Sequence, residues 1–160
     1  MQYDLSNSSD YFIVWDPKLK TGIQSVDKQH KHLVHLCNSF YQSLLKNKDK
    51  VSYQRLVKNT LEKCLNYTET HFRDEEKLMI ASKFSGYNEH KHTHDEFREK
   101  CQTMYAKFDK IPVGEAIKFA HFLYDWVQSH IAYEDKLYIP TLVEFLKKRK
   151  EKMIRTRPAI

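Results

Sequence analysis

The feature that most constrains this chain is a set of histidines and carboxylates standing where a helical bundle needs apolar side chains. Ile23, Val26, His30, Leu33, Val34, Cys37, Phe40, Tyr41 and Leu44 recur at steps of three and four, the spacing that lines one face of a helix. A second segment, from about Tyr53 to Ala81, does the same with Val57, Leu61, Cys64, Thr68, His71, Glu75 and Leu78. A third face carries His90, His94, Phe97, Cys101, Met104 and Phe108. A fourth carries Ile117, Ala120, Leu123, Val127, His130 and Ile131. Four long amphipathic segments with short links specify an all-α fold, an up-down-up-down four-helix bundle. Gly and Pro, at 3 and 4 residues, are too scarce for a turn-rich β fold.

One buried histidine is ordinarily a satisfied core residue. Here five imidazoles fall on the inward faces of four helices, with Glu75 and Asp135 beside them. Each costs on the order of several kcal/mol to bury unless it is paired or ligated. A metal cluster satisfies all seven together. His71 with Glu75, and His90 with His94, stand four apart and stack about 6 Å from each other on one helix face. His130 and Asp135 are five apart, a turn of about 140° on an ideal helix. They must approach the cluster from different angles, or be brought in by a local π-bulge. Seven ligands are too many for one tetrahedral zinc and suit two six-coordinate ions that share bridges. The carboxylate-rich type of di-metal bundle draws on four carboxylates, and these seams supply two. Neither His-Glu-x-x-His, a Gly-rich phosphate loop nor a Gly-x-Ser-x-Gly elbow occurs, so hydrolase and nucleotide chemistries lack their parts. His32, His35, His92 and His121 are expected at the surface.

Three regions are expected: an N-terminal arm over 1–22, the bundle over 23–140, and a short basic helix and tail over 141–160. The arm has a turn at Asp16-Pro17 and aromatic anchors Tyr11, Phe12 and Trp15. Asn47 to Ser52 separates the first two helices, and Ser85-Gly86 ends the second. Asn88 is the expected N-cap of the third helix, and Pro112 and Gly114 mark the next link. Pro140 should end or kink the fourth helix, and Thr141 to Glu144 fits a capping box for the fifth.

Residues 147–157 hold seven cations against Glu151 alone, which is the whole of the net charge of +6. Such a tail reads first as a solvated helix end that keeps the protein soluble. Contact with nucleic acid or an anionic surface is the lesser reading. No apolar run approaches membrane-spanning length, the first residues lack a signal-peptide layout, and three cysteines without a C-x-x-C pair argue against a disulfide framework. A cytoplasmic location is expected, and no second domain able to pass on a signal is legible. Cys37, Cys64 and Cys101 lie seven after His30, seven before His71 and seven after His94. In antiparallel helices these shifts run the same way along the bundle axis by about 10 Å. The three thiols are therefore expected in one core layer, with Leu123 as its fourth member.

Over about residues 12–140 the sequence resembles the hemerythrin family, most of all its single-domain bacterial members. The resemblance rests on Trp15, Thr21-Gly22-Ile23, Asp27-Lys28-Gln29-His30, His71-Phe72-Arg73-Asp74-Glu75-Glu76, His90-Lys91-His92-Thr93-His94 with Phe97, and Trp126 through His130-Ile131 to Asp135. It implies two iron ions with an oxo or hydroxo bridge. His90, His94 and His130 would hold one iron, His30 and His71 the other, and Glu75 and Asp135 would bridge them. It also implies reversible dioxygen binding at the open position of the second iron, for storage, delivery or sensing. Phe72, Trp126, Val127 and Ile131 flank ligands and are the expected lining of the dioxygen pocket. A di-iron oxidase or peroxidase acting on peroxide or nitric oxide is the alternative, with Tyr67, one turn before His71, as its candidate redox residue.

Overall fold

The computed structural model describes residues 12–46 and 49–155 and, among them, only helices and their connections. Helix α1 is Gln24–Lys46, α2 covers residues 50–82 and α3 is Tyr87–Tyr105. Helix α4 covers residues 113–137 and α5 is Ile139–Arg155. The first four form the four-helix bundle, with α1 packed on α2 and α4, and α2 on α3. The core is the set of seam residues: Leu33, Phe40, Val57, Leu61, Phe97, Phe119 and Leu123 are each at most 2% exposed.

The helix ends follow local chemistry more closely than the coarse periodicity does. Asp49 caps α2, its Oδ1 accepting from Ser52 N at 2.9 Å, so this helix begins at Lys50, ahead of the expected Tyr53. It ends at Lys83 rather than at Ser85-Gly86. Lys83 takes the left-handed conformation (φ 59°), Phe84 N donates to Met79 O at 2.9 Å, and Lys83 N donates to Ile80 O. This is a Schellman stop made without glycine. The link to α3 is then so short that Gly86, not Asn88, precedes the first helical residue, Tyr87.

Pro140 acts as expected but one step removed. Helix α4 stops at Leu137, Tyr138 intervenes, and α5 starts at Ile139 with Pro140 in its first turn, where a missing N–H leaves nothing unsatisfied. Thr141 is therefore already inside α5 and cannot cap it, and Glu144 pairs instead with Lys148 at 2.6 Å. The fifth helix is 17 residues long, not short.

The arm is pinned more by backbone than by aromatic rings. Ile13 N donates to Asn38 Oδ1, and Asn38 Nδ2 donates to Ile13 O, both at 2.8 Å. Ile13 and Leu19 are its deepest anchors, at 1% and 0% exposed. Phe12 stacks on Tyr41 at 4.1 Å, while Trp15 is only partly buried, beneath Lys31. Tyr11 lies outside the described residues. Ahead of α1, the Asp27 carboxylate accepts from Thr21 N, Thr21 Oγ1 and Gly22 N. Gly22 sits at φ +84°, a conformation that side chains disfavour. This clasp sets where α1 begins, and so where His30 points.

Candidate metal centre

Two short π-helical stretches, Thr68–Phe72 in α2 and Val127–Glu134 in α4, interrupt the bundle at one level. A π turn bonds i to i+5 and so stacks residues five apart. That brings His130 Nε2 to 2.9 Å from Asp135 Oδ1, which an ideal α-helix would not do. Hydroxyls donate to carbonyls beside the wider turns: Thr68 Oγ1 to Leu65 O, Thr70 Oγ1 to Asn66 O and Ser129 Oγ to Asp125 O, at 2.7 to 2.9 Å.

All seven expected ligands meet between the helices. His90 and His94 Nε2 are 3.2 Å apart, His94 and His130 Nε2 3.1 Å, and His30 and His71 Nε2 3.2 Å. Asp135 reaches His30 at 3.0 Å with Oδ2 and His90 at 3.3 Å with Oδ1. Glu75 Oε2 lies 3.4 Å from both His71 and His94 and 3.6 Å from His90. Two ligand sets result, Glu75-His90-His94-His130-Asp135 and His30-His71-Glu75-Asp135, overlapping in the two carboxylates. Every member is at most 4% exposed.

The donor set fits cations better than it fits itself. All four carboxylate oxygens of Glu75 and Asp135 are buried without a hydrogen-bond partner, despite the nearby ring nitrogens. No ring N–H is aligned on them. Two buried carboxylates left this way are costly unless positive charge lies between them. Nitrogens about 2.1 Å from one first-row cation and at right angles are about 3 Å apart, close to the imidazole spacings. Imidazole with carboxylate suits iron and its neighbours, and no thiolate is present.

Outer contacts set the imidazole tautomers. His94 Nδ1 meets Glu76 Oε1 at 3.0 Å, with Arg98 on the same oxygen at 2.9 Å. His130 Nδ1 meets Glu134 Oε2 at 2.9 Å. His71 Nδ1 meets the neutral Gln29 Oε1 at 2.8 Å, and His30 Nδ1 has no partner. A proton held at Nδ1 leaves the Nε2 lone pair free to ligate. The three-histidine side is thus backed by two carboxylates and the two-histidine side by none. Neither Gln29, Glu76 nor Glu134 was picked out by the seam pattern. Glu134, four after His130, and Gln29, beside His30, were findable by asking what each Nδ1 would touch.

Burial pushes the His71 imidazole down to about 4, so it is neutral at ordinary pH. Burial opposes charge on Glu75, as does Asp135, but His71, His90 and His94 outweigh both and hold it at about 2. Burial also disfavours charge on His90 and His130, yet Asp135, with Glu75 and Glu134, raises them to about 9 and about 8.

Of the expected pocket residues, Phe72 stacks on His94 at 3.8 Å and 2°, and Trp126 on His130 at 4.0 Å and 17°. Both rings therefore back the three-histidine side. Val127 and Ile131 are fully buried. Tyr67 stacks on His71 at 4.7 Å. His32, His92 and His121 are exposed, but His35 is half-buried. The sequence Glu89 to His92 spells Glu-x-x-His and points both ends to solvent. Cys37, Cys64 and Cys101 are free and 0% exposed. Cys64 pairs with Cys101 and lies within the electrostatic reach of Cys37, in the core that holds Leu123.

A four-helix bundle whose interior brings together two overlapping sets of metal-ligating side chains is the architecture of a metal-binding protein. Residues 21–142 match the hemerythrin HHE cation binding domain, and the chain belongs to the hemerythrin family. It is 28% identical over 127 residues to bacteriohemerythrin of Clostridium acetobutylicum, covering 79% of this chain and 98% of the relative. It is 32% identical over 126 residues to myohemerythrin of Sipunculus nudus, covering 78% and 89%. The wild-type hemerythrin crystal structure superposes with a TM-score of 0.69 at 26% identity, over 82% of this chain and 98% of that one. No helix among the described residues is long and apolar enough to cross a membrane.

Proposed function

We propose that this chain binds dioxygen reversibly at a non-haem di-iron centre. The observation that carries the reading is the unequal division of seven buried ligands about two shared carboxylates. His90, His94 and His130 would hold one iron, His30 and His71 the other, with Glu75 and Asp135 bridging. One fewer histidine leaves the second position able to take a ligand from outside. When bound, the ferrous pair supplies the two electrons that dioxygen takes up and gives back.

The chain's residues orient and protect that chemistry. Gln29 fixes the His71 ring through Nδ1, and Glu76 and Glu134 fix His94 and His130. Phe72, Trp126, Val127 and Ile131 exclude water as the dioxygen lining, with Phe72 and Trp126 acting from the three-histidine side. Five neutral imidazoles and only two carboxylates stabilise ferric iron less than a carboxylate-rich set does, which favours release over onward oxidation. Three buried free thiols suit a reducing cytoplasm. The bacteriohemerythrin and myohemerythrin relatives support the same reading.

A second reading, an oxidase or peroxidase, rests on Tyr67, whose buried hydroxyl has no partner and whose ring lies on His71. Anaerobic reduction followed by air separates the two. Binding predicts a visible absorption band that appears on oxygenation and disappears on deoxygenation through many cycles. Irreversible bleaching, or turnover of peroxide or nitric oxide, would defeat it.

A further inference from the structure

Helix α5 carries a feature that the metal centre does not use. It docks on the bundle through Leu142, which is 1% exposed, yet every residue from Leu146 to Arg155 is exposed. At about 100° per residue, Val143, Leu146, Met153 and Ile154 fall within an arc of roughly 100°. They are 51%, 43%, 63% and 62% exposed. Lys147 and Arg149 border this arc on its two edges, and Lys150 sits within it. Residues 147–155 hold six cations against Glu151. The match to the family domain covers residues 21–142, so this stretch lies outside it.

We propose that the outer half of α5 docks on an anionic lipid surface. Leu146, Met153 and Ile154 would face the acyl boundary, while Lys147, Arg149 and Lys150 would meet headgroup phosphates. A helix with cations flanking an exposed apolar arc is what a charged interface holds in its plane, and a lysine inside the arc reaches the headgroups by extending its stem. A nucleic acid would use the cations and leave the apolar arc in water. A second copy of the helix would cover the arc by bringing like charges together. With six cations in its last nine residues the helix lies on a bilayer and does not span one. The inference is independent of the dioxygen reading.

The test uses the full metal-loaded chain and vesicles of phosphatidylcholine alone or with about one-third phosphatidylglycerol, followed by flotation. Binding is expected to the anionic vesicles only and to fall with salt. Lys147→Gln and Lys150→Gln should each weaken it roughly fivefold. Leu146→Gln with Ile154→Gln should weaken it at least as much. A chain ending at Phe145 should not bind, while keeping the metal content and helicity that show it folded. Failure to bind anionic vesicles would overturn the proposal, as would vesicle binding indifferent to the Leu146 and Ile154 changes. So would retention of duplex DNA without vesicles, or a dimer that those two changes abolish in a chain that does not bind vesicles.

Discussion

The two sides of the centre differ in what stands behind their histidines, and that difference is measurable. Glu76 accepts from the Nδ1 of His94 and Glu134 lies 2.9 Å from that of His130, both on the three-histidine side, whereas His71 leans on an amide and His30 on nothing. Losing such an outer partner typically weakens metal binding by about 10- to 100-fold. Both carboxylates here belong near the lower limit, for different reasons. Arg98 sits 2.9 Å from the oxygen of Glu76 that meets His94 and draws off part of its charge. The Glu134 side chain is 39% exposed, so water screens it. Glu134→Gln and Glu76→Gln should each weaken binding on that side about tenfold, or about 1.4 kcal/mol. The double variant should approach a hundredfold. Anaerobic titration of the metal-free protein with ferrous or cobaltous ion against a competing chelator reads two affinities. In the unaltered chain the three-histidine side should fill first, and the substitutions should narrow the gap by lowering only the tighter constant. Equal losses at both sides, or none at either, would refute the reasoning.

Replacing His71 by Ala should reduce the iron content from two per chain to one, and Glu75→Ala should remove at least one; two retained irons in either variant would exclude the ligand assignment. In the metal-free protein, thermal stability should peak near the ordinary histidine pKa of about 6.5. His90 and His130, raised to about 9 and about 8, contribute stability that is present below 6.5 and lost as pH rises through those values. His71, lowered to about 4, contributes stability present above 6.5 and lost as pH falls towards 4. Calorimetry on chelated protein that shows stability rising steadily from pH 6.5 to 9 would contradict this. Burial pushes the Cys37 thiol far up, and the contact with Cys101, together with burial, holds that of Cys64 well above its usual value. A thiol reagent should therefore leave the folded protein untouched and find three thiols after denaturation; fast labelling of the folded chain would mean that the layer opens.

Much of this was legible because the chemistry repeats the helical period. His30, His71, His90, His94 and His130 stand on the same stripes as the leucines and phenylalanines, and a polar group on such a stripe has to be satisfied from within. The cysteine layer followed from the same arithmetic, since a shift of seven residues nearly preserves the face. Where local geometry departs from that period, the pattern was blind. The stop at Lys83 depends on one left-handed residue that its side chain does not advertise. The start of α5 at Ile139 depends on proline's tolerance of a first turn, which displaced the capping box read at Thr141 to Glu144.

The π stretches show where the helical period and the ligand spacing part company. Asp135 lies off the face of His130 on any ideal α-helix, and only the wider turn over Val127–Glu134 brings the two to 2.9 Å. A strict helical projection would have dropped Asp135 and left two carboxylates' worth of bridging to Glu75 alone. Asp135 stays among the ligands only when the two residues are allowed different angles of approach or a local π-bulge. A π turn loosens the usual carbonyl pairing, and hydroxyls at Thr68, Thr70 and Ser129 donate to the carbonyls of Leu65, Asn66 and Asp125 beside the two stretches. Such hydroxyls accompany the widened turns without defining them, since Thr93, one before His94, donates to His90 O at 2.8 Å inside a regular α-helix. What marks the second π stretch in this sequence is the ligand spacing of five itself, from His130 to Asp135.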